Sequence, residues 1–287
     1  MAKYKERVTS YYLPVYKWVS KQLEAHRVAS PAPGPPLVVG ISAPQGCGKS
    51  TLCEQLVAAF EHEGMCAATV SIDDFYLTHD ELEAVTARHA GNRLLTHRGN
   101  ALTHDLDLGR ATLSALRHAT AAHARVELPR YDKSAFSGRG DRFPRAQWRV
   151  IEGAVDVVLF EGWMLGFRAV ADEDRVAAVD KDLVPINRAL QEYKAMWDAF
   201  VDAWLVVQVE DPAFAIAWRG EAERKQREAG RPAMTEEEVL RFMDCYLPAY
   251  KLYTPELYAQ GPTTARPGHV LAVTVDRDRN PTSIAER

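Results

Sequence analysis

Residues 43–50 read Ala-Pro-Gln-Gly-Cys-Gly-Lys-Ser, and they lie between an apolar run at 37–42 and a helical pattern at 49–62. A strand, a loop of small residues and a helix in this order are typical of a Walker A phosphate loop, here with alanine at its first position. Backbone N–H groups of such a loop wrap the β-phosphate of a nucleotide, and the helix N-terminus adds its partial positive charge. We expect Lys49 to contact the β- and γ-phosphates of ATP and Ser50 to ligate Mg²⁺. The predicted nucleotide-binding residues are Gln45, Gly46, Cys47, Gly48, Lys49, Ser50 and Thr51.

Short apolar runs alternate with helical patterns along the rest of the chain. These runs are rich in β-branched residues and apolar on both faces, as buried parallel strands are. The alternation requires crossover connections, and it therefore predicts an α/β fold with a doubly wound parallel sheet and helices on both faces. The predicted strands are 37–42, 67–72, 156–161, 203–209 and 270–275, and the predicted helices between them are 49–62, 105–122, 187–200 and 212–229.

The sequence divides into three parts. Residues 1–29 form a predicted N-terminal helical segment, in which apolar residues over 4–26 recur at roughly helical spacing and Pro14 interrupts the pattern. Residues 30–36 contain four prolines and a glycine, which cannot sustain a helix or a central strand, so we interpret them as a linker. No break in composition divides residues 37–287, which we therefore expect to form one domain.

Acidic residues follow two of the predicted strands. Asp73 and Asp74 come directly after the second strand, and Glu161 ends the strand at 156–161. Carboxyl ends of parallel strands border the crevice in which ligands bind in this class of fold. One acid of the first pair can accept the proton of an attacking hydroxyl, and we assign this role to Asp73 and a role near the substrate to Asp74. Asp73 and Glu161 are also predicted to bind magnesium, Glu161 through ordered water. Aspartates at such junctions also serve as helix N-caps.

A basic, glycine-punctuated segment at 128–142 stands out in a slightly acidic chain. Guanidinium and ammonium groups bind carboxylates and phosphates, so this segment suits an anionic acceptor, although a solvated basic loop has the same composition. A second polar cluster surrounds His104, which we place at the rim of the substrate site rather than in catalysis. The predicted substrate-binding residues are Asp74, Tyr76, Arg98, His104, Arg130, Tyr131, Lys133, Arg139 and Arg142.

Residues 218–234 have the composition of a mobile lid. Five arginines and lysines lie between 218 and 231, and Gly230 follows most of them. A lid of this kind closes over a bound nucleotide, excludes water and brings an arginine to the transferring phosphoryl group. We expect Arg219 to be that arginine, while a merely solvated helix would look the same in sequence.

Composition excludes several classes of function. The formal net charge of −4 is not that of a general nucleic-acid or membrane-surface binder, and no apolar run approaches the length of a membrane span. The four cysteines show no metal-binding spacing, so we expect reduced thiols. The N-terminus is charged and aromatic and lacks a signal-type apolar stretch, so we expect a cytoplasmic protein. We also expect a monomer.

The motifs together resemble those of the plant-type D-glycerate 3-kinases, within the uridine kinase and phosphoribulokinase-like group of P-loop kinases. The resemblance spans about residues 37–281, and it implies a P-loop kinase type of fold that uses Mg-ATP to phosphorylate the 3-hydroxyl of D-glycerate. It also implies that Asp73 is the base, that residues 130–142 face the acceptor and that Arg219 and its neighbours form the lid. The stretches that carry it are 42–52 (SAPQGCGKSTL), 71–78 (SIDDFYLT), 98–105 (RGNALTHD), 129–142 (PRYDKSAFSGRGDR), 160–163 (FEGW), 246–253 (YLPAYKLY) and 279–281 (RNP).

Three other interpretations stay open from the sequence. The same scaffold could phosphorylate another acceptor, such as a nucleoside, pantothenate or a sugar phosphate. A nucleotide-binding regulatory protein could hydrolyse ATP without an acceptor, but it would not need two strand-end acids and a separate basic segment. A purely structural α/β domain would leave the whole phosphate loop as coincidence.

Overall fold

The computed structural model describes residues 2–30, 33–231 and 233–287. Its strands are β1 (Leu37–Ser42), β2 (Ala67–Ser71), β3 (Arg125–Leu128), β4 (Tyr131–Asp132), β5 (Asp141–Arg142), β6 (Arg149–Glu152), β7 (Val157–Gly162), β8 (Ala203–Val209), β9 (Val270–Val275) and β10 (Pro281–Glu286). Its α-helices are α1 (Ala2–Arg7), α2 (Leu13–Ala29), α3 (Lys49–His62), α4 (His79–Arg88), α5 (Leu106–Arg117), α6 (Glu173–Val179), α7 (Leu183–Met196), α8 (Phe214–Glu228), α9 (Glu236–Asp244) and α10 (Leu247–Gln260).

The described strands form a central sheet in the order β10-β9-β8-β1-β7-β2. Strands β9, β8, β1, β7 and β2 run parallel, and only β10 is antiparallel to its neighbour. Every residue of β1 and β7 is buried, as expected for strands covered on both faces. The predicted α/β fold with a doubly wound, mostly parallel sheet is confirmed. Because β1, β7 and β2 are parallel neighbours, the residues that follow them meet at one edge of the sheet.

The two faces of the sheet bury separate apolar cores. On one face of the sheet, Val15 and Val19 of α2 and Leu56 and Phe60 of α3 form a core with the β1 side chains that point to that face. On the other face α5, α7 and α10 form a larger core with alternate residues of β7 and β8. Alternation of side chains along each strand therefore decides which helices it contacts. No helix in the described part of the chain is long and apolar enough to cross a membrane.

Proline affects the N-terminal segment less than the sequence predicts. The helical path continues through Pro14, because a π-helical turn at Val8–Tyr12 precedes it and the proline occupies the first turn of α2. Proline lacks the N–H that another residue would donate at this position, and the wider π-helical turn just before it accommodates the proline ring without breaking the helix. Pro31 and Ala32 of the predicted linker, and Pro232 of the predicted lid, lie outside the described residues.

Several elements have no counterpart in the sequence-based prediction. Strands β3 and β6 pair as a small antiparallel sheet, and β4 and β5 pair as another that folds the basic segment back on itself. Helix α10 also escaped prediction, because it contains Pro255 and buries residues around most of its circumference. The predicted helices at 105–122 and 187–200 are displaced or shorter in the structure, where they span 106–117 and 183–196.

Candidate active site

The phosphate loop leaves β1 at Ser42 and enters α3 at Lys49. Gly48 is the N-cap of α3 with φ +98°, and Gly46 has φ +79°, so both positions need glycine. A Cβ atom on Gly46 would also lie only 2.6 Å from the Cβ of Trp218, while space around Gly48 is open. The chain therefore has, at the N-terminus of α3, the open concave backbone that a phosphate group requires.

Two polar groups of the loop, one side chain and one backbone amide, already have hydrogen-bond partners within the protein. The Lys49 ammonium donates to the Pro44 carbonyl (3.2 Å), which curls it over the loop. The Gln45 N–H donates to the Tyr250 hydroxyl (2.9 Å), so this amide is held by α10. Cys47 points inward, and burial raises the pKa of its thiol, which keeps it protonated and unreactive.

Arg279 fastens the phosphate loop to α8, and sequence reasoning gave it no role. Its Nε donates to the Gly46 carbonyl (2.7 Å), and its guanidinium lies over the Trp218 ring, 4.9 Å from the ring centroid. Its terminal nitrogen pairs with Glu221 at 2.9 Å. The only sequence signal was the Arg-Asn-Pro stretch, which carries the family resemblance without indicating a contact.

Asp73 forms the centre of the second half of the site. Its carboxylate pairs with the Lys133 ammonium at 2.5 Å and accepts a hydrogen bond from the Tyr76 hydroxyl at 2.8 Å. Burial alone would raise the pKa of Asp73, but the charge and hydrogen bond of Lys133, the Tyr76 hydrogen bond and the charge of Lys49 outweigh it. The pKa therefore lies well below its ordinary value, and Asp73 stays ionised at physiological pH.

Asp74 has the opposite electrostatics. Its carboxylate accepts from the Ser71 N–H (3.3 Å) in a capping box that closes the 3₁₀ turn Ile72–Phe75. Burial, together with the charge of Asp73, raises the pKa of Asp74 to about 6 in spite of the Ser71 hydrogen bond. The structure thus gives Asp74 a capping contact, and its role in binding substrate stays a prediction.

Oxygen donors of the kind that Mg²⁺ prefers lie around the loop. Ser50 is in the first turn of α3, and Glu161, at the end of β7, is buried; burial raises its pKa, and Lys49 partly opposes that rise. The buried Ser42 hydroxyl beside β7 has no hydrogen-bond partner among the described residues. Those residues contain no cluster of three or more His, Cys, Asp or Glu suited to a metal. Magnesium in kinase sites takes one or two protein carboxylates and completes its shell with phosphate and water, so the donor set fits.

The basic segment is held against this centre by Arg98. Its guanidinium donates to the carbonyls of Gly138 (2.7 Å), Arg139 (2.6 Å) and Lys133 (3.3 Å). It also lies 5.9 Å from the Tyr76 ring centroid and 5.5 Å from that of Tyr131. Arg98 therefore orders the backbone that presents Lys133 to Asp73. We call residues 130–142 the acceptor segment from here on.

The other cations of the acceptor segment have separate partners. Arg142 donates to the Tyr76 carbonyl and the Asp105 carboxylate, both at 3.0 Å. Arg139 pairs with Glu83 of α4, and Arg130 lies over the Phe143 ring. The structure thus brings Lys133 to Asp73 but not Arg130 or Arg139, whose contact with an acceptor stays a prediction.

His104 is buried beneath Tyr76. The two rings stack with centroids 4.7 Å apart, and the Nδ1 of His104 is 2.9 Å from the Tyr193 hydroxyl. Burial lowers the pKa of His104 to about 3, so the imidazole is neutral at physiological pH. Its contacts support Tyr76 from below the site.

Arg219 lies on α8, one residue after Trp218. It pairs with Glu223 one turn further on at 2.5 Å, and its guanidinium lies over the Phe242 ring, 5.1 Å from the centroid. Glu223 in turn accepts from the Met234 N–H (2.8 Å), which ties the end of the α8–α9 connection back to the body of α8. The structure therefore holds Arg219 through Glu223 of the predicted lid and Phe242 of α9.

This combination of phosphate loop, strand-end acids and facing cation defines the class of P-loop kinases. Residues 38–178 match the model of the phosphoribulokinase and uridine kinase family. A chloroplastic D-glycerate 3-kinase of Arabidopsis thaliana is 45% identical over 96% of this chain, which spans 61% of the length of that relative. An uncharacterized kinase of Schizosaccharomyces pombe is 32% identical, with 86% of this chain and 91% of that protein covered.

A solved structure agrees. The D-glycerate 3-kinase from Cryptococcus neoformans matches with a TM-score of 0.87 and 32% identity, covering 96% of this chain and 99% of that one. The chain belongs to the D-glycerate 3-kinase family, within the phosphoribulokinase and uridine kinase family of P-loop proteins.

Proposed function

We propose that this protein is an ATP-dependent kinase that transfers the γ-phosphoryl group of ATP to the 3-hydroxyl of D-glycerate and releases ADP and 3-phosphoglycerate. Two of its relatives carry the name D-glycerate 3-kinase. The observation that carries the proposal is the pairing of Asp73 with Lys133 across from the phosphate loop. A carboxylate that can receive a hydroxyl and a cation that can bind an acid are both needed for this substrate.

In this proposal the phosphate loop binds ATP through the backbone of residues 45–51, and Lys49 leaves the Pro44 carbonyl to neutralise the β- and γ-oxygens. Ser50 would ligate Mg²⁺, with Asp73 and Glu161 reaching it directly or through water. A bound magnesium ion would offset negative charge on the phosphates. Arg279 and Tyr250 hold the loop in shape from either side.

The acceptor binds between Asp73 and the acceptor segment. Its carboxylate takes over Lys133, which releases Asp73 from its ion pair, and the freed carboxylate orients the 3-hydroxyl and accepts its proton. Positioning is the main demand, because the transition state of phosphoryl transfer is loose and needs little covalent help. Tyr76, Tyr131 and Arg98 form the wall of this site, His104 supports Tyr76, and Arg130, Arg139, Arg142 and Asp74 complete its surroundings.

The remaining parts of the proposal concern the whole chain. Residues 37–287 act as the kinase domain, preceded by the helical segment at 1–29 and the linker at 30–36. Residues 218–234 act as a lid that closes over ATP and brings Arg219 to the transferring phosphoryl group, for which Arg219 exchanges Glu223 for phosphate oxygen. The protein works as a cytoplasmic monomer, which its free cysteines support.

Initial rates of ADP release test the proposal. We expect turnover with D-glycerate, and kcat/KM at least about a hundredfold lower with glycerol, which lacks the carboxylate and leaves Lys133 unpaired by the acceptor. A reaction without acceptor gives the background of ATP hydrolysis. Equal rates with glycerol and D-glycerate would refute an anionic acceptor, and equal rates with and without any acceptor would indicate an ATPase.

A further inference from the structure

Tyr246, the N-cap residue of α10, and Tyr250, one turn further along, present their hydroxyls to the two halves of the site. The Tyr250 hydroxyl accepts the N–H of Gln45 in the phosphate loop at 2.9 Å. The Tyr246 hydroxyl donates to the carbonyl of Arg98 at 2.8 Å. Both side chains are 2–3% exposed, so neither bond has water as a ready substitute.

Trp163, which follows β7, lies between these tyrosines. Its ring centroid is 5.3 Å from that of Tyr246 and 5.0 Å from that of Tyr250. Its indole N–H donates to the Gly99 carbonyl at 3.1 Å, next to the Arg98 carbonyl that Tyr246 holds. Asn100 adds a bond from its amide to the Cys245 carbonyl at 2.9 Å, just before α10. Residues 98–100 are thus held at three consecutive positions: the Arg98 carbonyl by Tyr246, the Gly99 carbonyl by Trp163, and the Asn100 side chain by the backbone just before α10.

The residues held in this way are connected to the reacting groups through two further sets of contacts. Arg98 fixes the acceptor segment through three backbone carbonyls, and the acceptor segment carries Lys133 to Asp73. At the other end, the Gln45 amide belongs to the loop that receives the phosphates. Two residues four positions apart on a helix are separated by about 6 Å along its axis, a rigid spacing.

We propose that Tyr246 and Tyr250 are positioning residues that hold the acceptor segment and the phosphate loop at a fixed separation, so that the acceptor hydroxyl rather than water lies next to the γ-phosphoryl group. The inference rests on the proposed kinase function and adds to it two residues that contact neither substrate. It also assigns a purpose to the 246–253 stretch, which in the sequence only carries the family resemblance.

Replacing each tyrosine by phenylalanine removes one hydroxyl and keeps the ring. Tyr253→Phe is the matched control, because Tyr253 lies on the same helix, is equally buried and donates to Asn187 at 3.2 Å, away from both segments. Three quantities are measured for each variant: the KM for D-glycerate, the dissociation constant of ADP, and the number of ADP molecules released per phosphoglycerate formed.

Tyr246→Phe should raise the KM for D-glycerate about tenfold and leave the ADP dissociation constant within about twofold of wild type. Tyr250→Phe should weaken ADP binding about tenfold, since the Gln45 N–H loses its partner. Both should raise the ratio of ADP to phosphoglycerate above one, because a displaced hydroxyl leaves the γ-phosphoryl group to water. Tyr253→Phe should leave all three quantities unchanged.

The proposal is overturned if Tyr246→Phe and Tyr250→Phe match Tyr253→Phe in all three quantities, or if they lower the thermal midpoint without separating the two substrates. Trp163→Phe, which removes the bond to Gly99 but keeps Tyr246, should reproduce the effect of Tyr246→Phe and serves if that variant does not fold. If the wild-type protein does not phosphorylate D-glycerate, the proposed function is refuted instead. The ADP dissociation constant would still test the role of Tyr250.

Discussion

The phosphate loop and the acceptor segment meet at the same edge of the sheet, but they are held in shape by different means. The loop is contiguous with β1 and α3, and its form follows from Gly46, Gly48 and the first turn of the helix. The acceptor segment pairs only through the two-residue strands β4 and β5, and it owes its position to side chains from elsewhere, above all Arg98.

Because of this difference, we expect the two regions to respond differently to the removal of a side chain. A loop shaped mainly by its own backbone is preorganised before any ligand binds, so removing one of the loop's own side chains should affect chemistry more than geometry. A segment held by a few distant side chains is less rigid, and its ion pair with Asp73 can be exchanged for a substrate carboxylate. We therefore expect variants in the two regions to separate nucleotide effects from acceptor effects.

The largest effect is expected where the two regions meet, at Asp73. Asp73→Asn keeps the size and a hydrogen bond but loses the negative charge, and it should lower kcat by about two to four orders of magnitude, the usual range for loss of a general base. The ADP dissociation constant should change little. Asp132→Asn is the control, because Asp132 lies next to Lys133 in the acceptor segment and its hydrogen bonds are local, to Ser134 and Ala135. Wild-type kcat in Asp73→Asn would place the base elsewhere.

Lys49→Ala tests the phosphate loop by itself. In the proposed function its ammonium neutralises the β- and γ-oxygens, so kcat should fall at least about a hundredfold, or roughly 3 kcal/mol of transition-state stabilisation. The thermal midpoint should hardly move, because among the described residues this ammonium donates a hydrogen bond only to the Pro44 carbonyl. Steady-state rates measure the change in kcat, and a melting curve measures the thermal midpoint. Near-normal turnover would contradict the assignment of this loop as the ATP-binding site.

Lys133→Gln tests the acceptor segment by itself. It should raise the KM for D-glycerate about tenfold or more and leave the KM for ATP within about twofold, since an anchoring charge is lost on one substrate only. Removing the ammonium also lets the pKa of Asp73 rise toward its ordinary value, so the acid limb of kcat/KM should move to higher pH. Arg145→Gln, a nearby exposed cation paired with Glu127, should change neither quantity. Equal changes in both KM values would refute the separation of the two regions.

The smallest effect is expected at Asp74, the acid next to Asp73, and it concerns the pH dependence of stability. The pKa of Asp74 in the folded protein, about 6, lies above its unfolded value of about 3.9, so the folded state holds the proton more tightly. Stability of the wild-type protein should then fall as pH rises from about 4 through 6, by about 1 kcal/mol after allowance for partial exposure. Asp74→Asn does not titrate, so it should melt a few degrees higher than wild type at pH 8 and equally near pH 4. A pH-independent difference would contradict the raised pKa.

The same contrast explains which features could be predicted from sequence. The phosphate loop and the parallel strands depend on neighbouring residues and on periodicity, so the sequence predicted them. The Asp73–Lys133 pair joins residues 60 positions apart, and composition could not tell Lys133 from the arginines around it. Arg279, Tyr246 and Tyr250 act through backbone groups of distant segments and left no local signal. Pro14 was predicted to interrupt the helical pattern of the N-terminal segment, but a π-helical turn just before it lets the helix continue.

The identity of the phosphorylated product tests the proposed reaction most directly. The wild-type protein is incubated with Mg-ATP and D-glycerate, and the product is identified by phosphorus NMR while ADP is counted in the same sample. We predict 3-phosphoglycerate, formed in a one-to-one ratio with ADP and absent without enzyme. Formation of 2-phosphoglycerate would contradict the proposed position of the acceptor, and ADP release without any phosphoglycerate would contradict the reaction itself.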